Sequence, residues 1–155
     1  MSSDTSPTPP QSLIDHLKLR EGWKTQVYLD TLQKPTAGMG HLLTAVENAQ
    51  YSVGDTVPDD VLNAWTTADL QSAYNAALHQ AGQLNIDDQD FVNALASVCF
   101  QMGTAWNTKF PNTWKLMMAG EWEQAAQAVQ QSLWYKQTPV RVQDFQAALR
   151  SRINA

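Results

Sequence analysis

An α+β fold, one small antiparallel sheet in an otherwise helical chain, follows from three features of the sequence. Short alternating stretches broken by Gly and Pro are confined to the segment between Trp23 and Leu43. Apolar residues recur at helical spacing from about Val57 onward. The chain has 155 residues, 43% of them hydrophobic, enough to bury one ordinary core but too few to expect two independent domains.

Residues 1–11, MSSDTSPTPPQ, are rich in Ser, Thr and Pro with almost nothing to bury, and are expected to form a disordered or extended arm. Folded structure is expected from Ser12, where Ser12 and Asp15 form a capping-box pattern. Leu13, Ile14 and Leu17 then give a helical stripe that stops at Gly22, so Glu21 ends a short helix. The stretches VYLD, TAGMGH and HLL supply the sheet.

Beyond the sheet, Pro58 fits a first helical position, and Asp59 and Asp60 complement the positive helix end. Val61, Trp65, Ala68, Tyr74, Ala77 and Leu78 carry that helix to near Gly82. Asp87 and Asp90 start another, with Phe91, Leu95, Val98 and Met102 on one face and a stop at Gly103. Trp122, Ala126, Val129 and Leu133 mark a further helix, and Thr138 with Pro139 opens the last, with Val142, Phe145 and Leu149 inward. Cys99, Met102, Trp114 and Met117 read as core, while Trp106, in the loop-like TAWNTK, is a candidate for a cleft rim. The expected organisation is a single domain over residues 12–155, with a sheet part at 12–57, a long helix at 58–82 and a helical part at 83–155.

Ten basic against fifteen acidic residues give a formal charge of -5, which disfavours nonspecific attraction to nucleic acid or to an anionic membrane. One cysteine, Cys99, makes no internal disulfide, so packing must hold the fold. There is no basic N-terminal segment followed by an apolar stretch, and the longest apolar runs, such as Leu116 to Ala119, cannot span a bilayer. Neither a secretion signal nor membrane insertion is expected.

The segment EGWKTQVYLDTLQKPTAGMGHLLT, residues 21–44, sets Glu21, Asp30 and Thr36 nine and then six residues apart. Residue type alone allows a bland reading: an exposed helix end, a turn former before Thr31 and a β-branched strand residue. The segment, however, closely resembles the catalytic signature of the phage lysozymes. There a Glu ends the first helix, an Asp and a Thr lie on the following hairpin, and a G-x-G-H turn closes the motif, here Gly38-Met39-Gly40-His41. FQMG at 100–103 and WYKQTPVR at 134–141 resemble bundle segments of the same family in the same order, so the likeness covers about residues 12–150.

The resemblance implies a lysozyme-like two-lobed fold, with a sheet lobe and a helical lobe joined by a long helix and a cleft between them. It further implies a muramidase that cleaves the β-1,4 bond between N-acetylmuramic acid and N-acetylglucosamine without metal or cofactor. Glycoside hydrolysis needs a proton donor for the leaving oxygen and a carboxylate on the opposite side of the sugar. Glu21 suits the donor, because a helix C-terminus and a partly apolar cleft near Trp23 or Phe100 both favour its protonated form. Asp30 and Thr36, by resemblance, position the attacking water. That implies inversion, with carboxyl groups roughly 6.5–9.5 Å apart.

His41 has no ligand-like spacing of Cys or carboxylate around it, so a structural role is favoured over a metal site. By resemblance it pairs with Asp69, with the His pKa raised and the Asp pKa lowered on folding. Arg141 is likewise expected to be structural, bridging toward the first helix. Phe100 and Gln101 resemble residues on a cleft floor, although core packing explains Phe100 equally well.

Three features depart from the family. Its members are usually basic, whereas this chain has a pI near 4.9. The stretch TAVENAQYSVGDTVPDD and the Pro-rich arm have no close family pattern. The expected setting is a host bacterium's cytoplasm, with a monomeric enzyme released to the peptidoglycan by a holin-like protein. A virion-associated lysozyme, a toxin-like effector domain and a noncatalytic wall-binding module are the alternatives.

Overall fold

The computed structural model describes residues 7–155. Most of the expected N-terminal arm thus lies outside the described residues, and residues 7–10 have no regular structure. The chain is α+β, as expected, and divides into two units, Thr8–Gln71 and Ser72–Ala155.

Helix α1, Gln11–Glu21, opens the first unit. The expected Ser12 capping box does not form. The Pro10 carbonyl accepts from Leu13 and Ile14 N–H instead, which starts the helix at Gln11 and places Ser12 inside its first turn. Leu13 and Leu17 are fully buried, each contributing roughly 1.5–3 kcal/mol of apolar burial. Gly22, at φ 73, stops the helix in a backbone conformation that L side chains rarely adopt, which fixes Glu21 as its last residue.

Strands β1 (Lys24–Leu29), β2 (Pro35–Gly38) and β3 (His41–Leu42) form an antiparallel sheet in that order. Tyr28 lies opposite Thr36, and Thr36 opposite Leu42, with an irregularity between Lys24 and Tyr28. The other edge of β1 is covered by residues 54–57, through Val27 N–H to Asp55, Gly54 N–H to Val27 and Val57 N–H to Thr25. Val27, Ala37, Val57 and Leu62 make the core beneath the sheet.

Helix α2, Ala45–Gln50, lies in the stretch that has no close family pattern. Its signal was present: Thr44 caps Glu47 N–H while Glu47 reaches back to Thr44 N–H, a reciprocal capping box. Helix α3, Asp59–Gln83, passes from the first unit into the second. Pro58 stands just before it and accepts from Val61 and Leu62, one position earlier than expected.

In the second unit, α4 (Gln89–Met102), α5 (Trp106–Lys109), α6 (Pro111–Met118), α7 (Trp122–Gln130), α8 (Leu133–Gln137) and α9 (Pro139–Arg150) pack around Phe91, Leu95, Met117, Val129, Phe145 and Leu149. Asp88, rather than Asp87, caps α4 by accepting from Asp90 and Phe91 N–H. Leu133 does not extend the α7 stripe. It is 67% exposed because α7 ends at Gln130 and Ser132 caps a new helix through Tyr135 N–H.

Trp106 is not on a rim. It is 0% exposed, its indole N–H donating to Gln80 Oε1 at 2.9 Å and its ring meeting Phe145 edge-on at 5.4 Å. Among the described residues, no helix is long and apolar enough to cross a membrane.

Candidate active site

The first unit holds Glu21, Asp30, Thr36, His41 and Asp69; Phe100, Gln101 and Arg141 belong to the second. Glu21 reaches the site from the C-terminal end of α1. Its carboxylate lies directly over Gly40: a Cβ on that glycine would stand 2.9 Å from Glu21 Oε2. Gly40 also has φ +77, so the backbone favours glycine behind the carboxylate, and a side chain there would push the carboxylate tip aside. This is the physical content of the second Gly in Gly38-Met39-Gly40-His41.

Asp30 closes the turn between β1 and β2. Its N–H donates to Lys34 O at 2.9 Å, and Oδ1 accepts from Leu32 N–H at 2.8 Å and Lys34 N–H at 2.9 Å. Both bonds fall on one oxygen. Among the described residues Oδ2 accepts none, so the carboxylate is anchored by one atom and open at the other.

Thr36, 3% exposed, donates from Oγ1 to Lys34 O at 2.9 Å. Its proton is thereby used, and what remains of the hydroxyl is acceptor capacity. The Lys34 backbone therefore serves both residues: its N–H donates to the Asp30 carboxylate, and its carbonyl accepts from Asp30 N–H and from the Thr36 hydroxyl.

Tyr28 is a site residue that sequence reasoning missed. It faces Thr36 across the strands, and cross-strand partners share a sheet face. Burial pushes its phenol pKa up, and the negative charges of Glu21 and Asp30 push it further. One phenol thus feels both carboxylates. The signal was the alternation in VYLD, two residues before Asp30.

His41 sits between two carboxylates, of which sequence reasoning named one. Nδ1 is 2.6 Å from Asp69 Oδ2 and Nε2 is 2.8 Å from Glu47 Oε1. Two acceptors on opposite nitrogens require two N–H donors, hence an imidazolium. Burial lowers the His41 pKa, but bonding to Asp69 and Glu47 outweighs it and the net shift is upward. For Glu47, burial raises the pKa and is outweighed by Thr44 N–H and His41, so the net shift is downward. The ring stacks on Trp65 at 4.7 Å. Sheet, α2 and α3 are joined at this one side chain, next to Gly40.

In the second unit, Arg141 is 8% exposed and donates to Ser97 O at 3.2 Å and Ser97 Oγ at 3.0 Å, tying α9 to α4. Gln101 donates to Thr138 Oγ1 at 3.1 Å and accepts from Trp134 Nε1 at 3.0 Å. Phe100, its neighbour, is half-buried.

Comparison with known proteins gives this geometry a context. The phage lysozyme family model matches residues 18–152. A probable T4-type lysozyme of Dictyostelium discoideum is 31% identical, over 84% of this chain and 88% of its own length. The pre-baseplate central spike protein Gp5 of Enterobacteria phage T4 is 30% identical, over 88% of this chain but 27% of its own. The peptidoglycan hydrolase gp36 of Pseudomonas phage phiKMV is 27% identical, over 81% of this chain and 14% of its own. A family match over nearly the whole described chain, around a glutamate seated on its own glycine turn, has one conclusion: the chain belongs to the phage lysozyme family.

Proposed function

We propose that this chain is a muramidase, hydrolysing the β-1,4 bond between N-acetylmuramic acid and N-acetylglucosamine in bacterial peptidoglycan. The observation that carries the reading is Glu21 seated on the Gly40 turn of a lysozyme-family scaffold whose β1–β2 hairpin carries Asp30 and Thr36. Glu21, held at the end of α1 against Gly40, gives its proton to the departing glycosidic oxygen. A water donates one hydrogen to Asp30 Oδ2 and the other to Thr36 Oγ1, the two acceptors left open by the Lys34 backbone. Its lone pair then points at the anomeric carbon, and Asp30 takes the proton as the bond forms. Because water attacks as Glu21 protonates the opposite side, the product is inverted.

In this reading His41 and Arg141 are structural, the first supporting the Gly40 turn and the second joining α4 to α9. Phe100 and Gln101 are proposed glycan contacts, and the internal bonds of the Gln101 amide favour Phe100 as the larger contributor. The enzyme acts as a monomer made in the host cytoplasm and reaches the wall through a holin-like partner.

A virion-borne setting is the second reading, favoured by the spike protein and the longer phage hydrolase, of which this chain spans 27% and 14%. Finding the protein on purified particles would support it; finding it only in the soluble lysate would support the free enzyme.

The chemistry is tested by digesting purified peptidoglycan, reducing the new ends with borodeuteride and identifying them by mass spectrometry. Label on N-acetylmuramic acid is expected. Label on N-acetylglucosamine refutes the bond assignment, and binding without label supports a wall-binding module.

A further inference from the structure

A second concave site lies within the first unit, on a face defined by α1 and the start of α3. It encloses about 530 Å³, and neither Glu21, Asp30 nor Thr36 lines it. That volume falls within the range of small-ligand clefts and admits more than one sugar ring.

Its lining combines an aromatic platform with uncharged hydrogen-bonding groups. Trp23 is 38% exposed, leaving part of the indole open to the pocket. The ring lies beside Gly38 and Thr66: its Cζ3 is 3.9 Å from the point a Gly38 Cβ would occupy, and Thr66 Oγ1 is 3.8 Å from the same point. Ile14 and Leu70 extend the apolar surface. Along α3, on the same face as Leu70, Asn63 offers an amide donor and acceptor, and Thr67 a hydroxyl.

Two charges also line the pocket, Lys18 and Asp59, and they are of opposite sign. The site therefore carries no net charge, in a chain of formal charge -5. An anionic ligand gains nothing from that balance, and a cationic one gains nothing from the pocket itself. A neutral molecule with an apolar face and a polar rim matches all three features, which is the surface of a pyranose ring. The acetamido group of an N-acetylhexosamine adds one donor and one acceptor, the complement of the Asn63 amide.

From this lining we infer that the α1/α3 pocket binds a neutral N-acetylhexosamine unit of a glycan, stacked on Trp23 and hydrogen-bonded by Asn63 and Thr67. The source of that sugar, the wall strand, rests on the muramidase reading; the pocket's chemistry does not. A site of this kind gives an acidic enzyme a grip on its polymer that owes nothing to charge.

The test is a nuclear magnetic resonance titration of isotopically labelled Glu21→Gln protein with soluble β-1,4-linked N-acetylglucosamine oligomers. Saturating shifts at the Trp23 indole N–H and the Asn63 side-chain amide are expected. Asn63→Leu and Thr67→Val, both at exposed positions of α3, should each weaken that binding by about fivefold, the loss of one hydrogen-bonding group. Shifts elsewhere without these two signals, undiminished affinity in both variants, or displacement of these signals by a stem peptide and not by sugar, would each overturn the proposal. Wild-type cleavage of peptidoglycan is measured in parallel. Cleavage without pocket shifts removes the second site alone, whereas pocket shifts without cleavage remove the muramidase reading and leave the site standing.

Discussion

Gly40→Ala is the sharpest perturbation available, because two independent penalties meet at one atom. The backbone there has φ +77, and the left-handed region costs a residue bearing Cβ about 1–2 kcal/mol. In a domain of this size that lowers Tm by roughly 2–8 °C. The added Cβ would also stand 2.9 Å from Glu21 Oε2, closer than real Cβ contacts, so the carboxylate must move. Restoring ordinary contact displaces the carboxylate tip by about 0.5 Å, half of the ~1 Å misplacement that costs on the order of a hundredfold in rate, so about tenfold is expected. Gly120→Ala is the control: φ +75, with nothing within 4 Å of its Cβ. Both variants should lose comparable stability in thermal unfolding followed by circular dichroism. Only Gly40→Ala should lose peptidoglycan turnover, by about tenfold. Equal turnover in the two variants would refute the claim that Gly40 seats the catalytic carboxylate.

Three further outcomes are expected. Because the His41 pKa is raised, its contribution to stability is whole below about pH 6.5, the unfolded value, and is lost as pH rises through the folded one; because that of Glu47 is lowered, its share is whole above about pH 4.5 and is lost as pH falls through its folded value. His41→Asn should therefore cost about 1.5–3 kcal/mol between those limits, in urea unfolding, and flatten the decline above pH 6.5; an unchanged pH profile would show that His41 is not held by both carboxylates. Burial pushes the Cys99 thiol up to about 12, so the native protein should resist a disulfide reagent at neutral pH and react only on unfolding; rapid native labelling would contradict the packing of Cys99 against Gln80. With a net charge of -5 facing an anionic wall, moderate salt should speed lysis in a turbidity assay, and a steady fall from low ionic strength would contradict that.

Much of the site was legible because the backbone signals were local. Gly22 ended α1 and so fixed Glu21, and alternation in VYLD and TAGMGH fixed the sheet that presents Asp30 and Thr36. Partners chosen by tertiary packing were harder. Glu47 was readable as a helix cap from its distance to Thr44, yet its second bond, to His41, depends on where α2 settles against the sheet. Trp106 looked like a loop residue because Gly103 and Thr104 precede it; the indole is buried because Gln80, far away in sequence, meets its N–H. Ser12 matched a capping box that the Pro10 carbonyl made unnecessary. Local chemistry set the elements, while long-range hydrogen bonds decided which polar side chains could go inside.

The central claim is that Glu21 supplies the proton that breaks the glycosidic bond. Its most direct test compares wild type with Glu21→Gln on purified peptidoglycan, counting new reducing ends over time, with unfolding curves confirming that both proteins are folded. The glutamine keeps the size of the side chain and removes the ionisable proton, so wild type should generate N-acetylmuramic acid ends while the variant falls by at least about two orders of magnitude. Equal rates in two equally folded proteins would contradict the account.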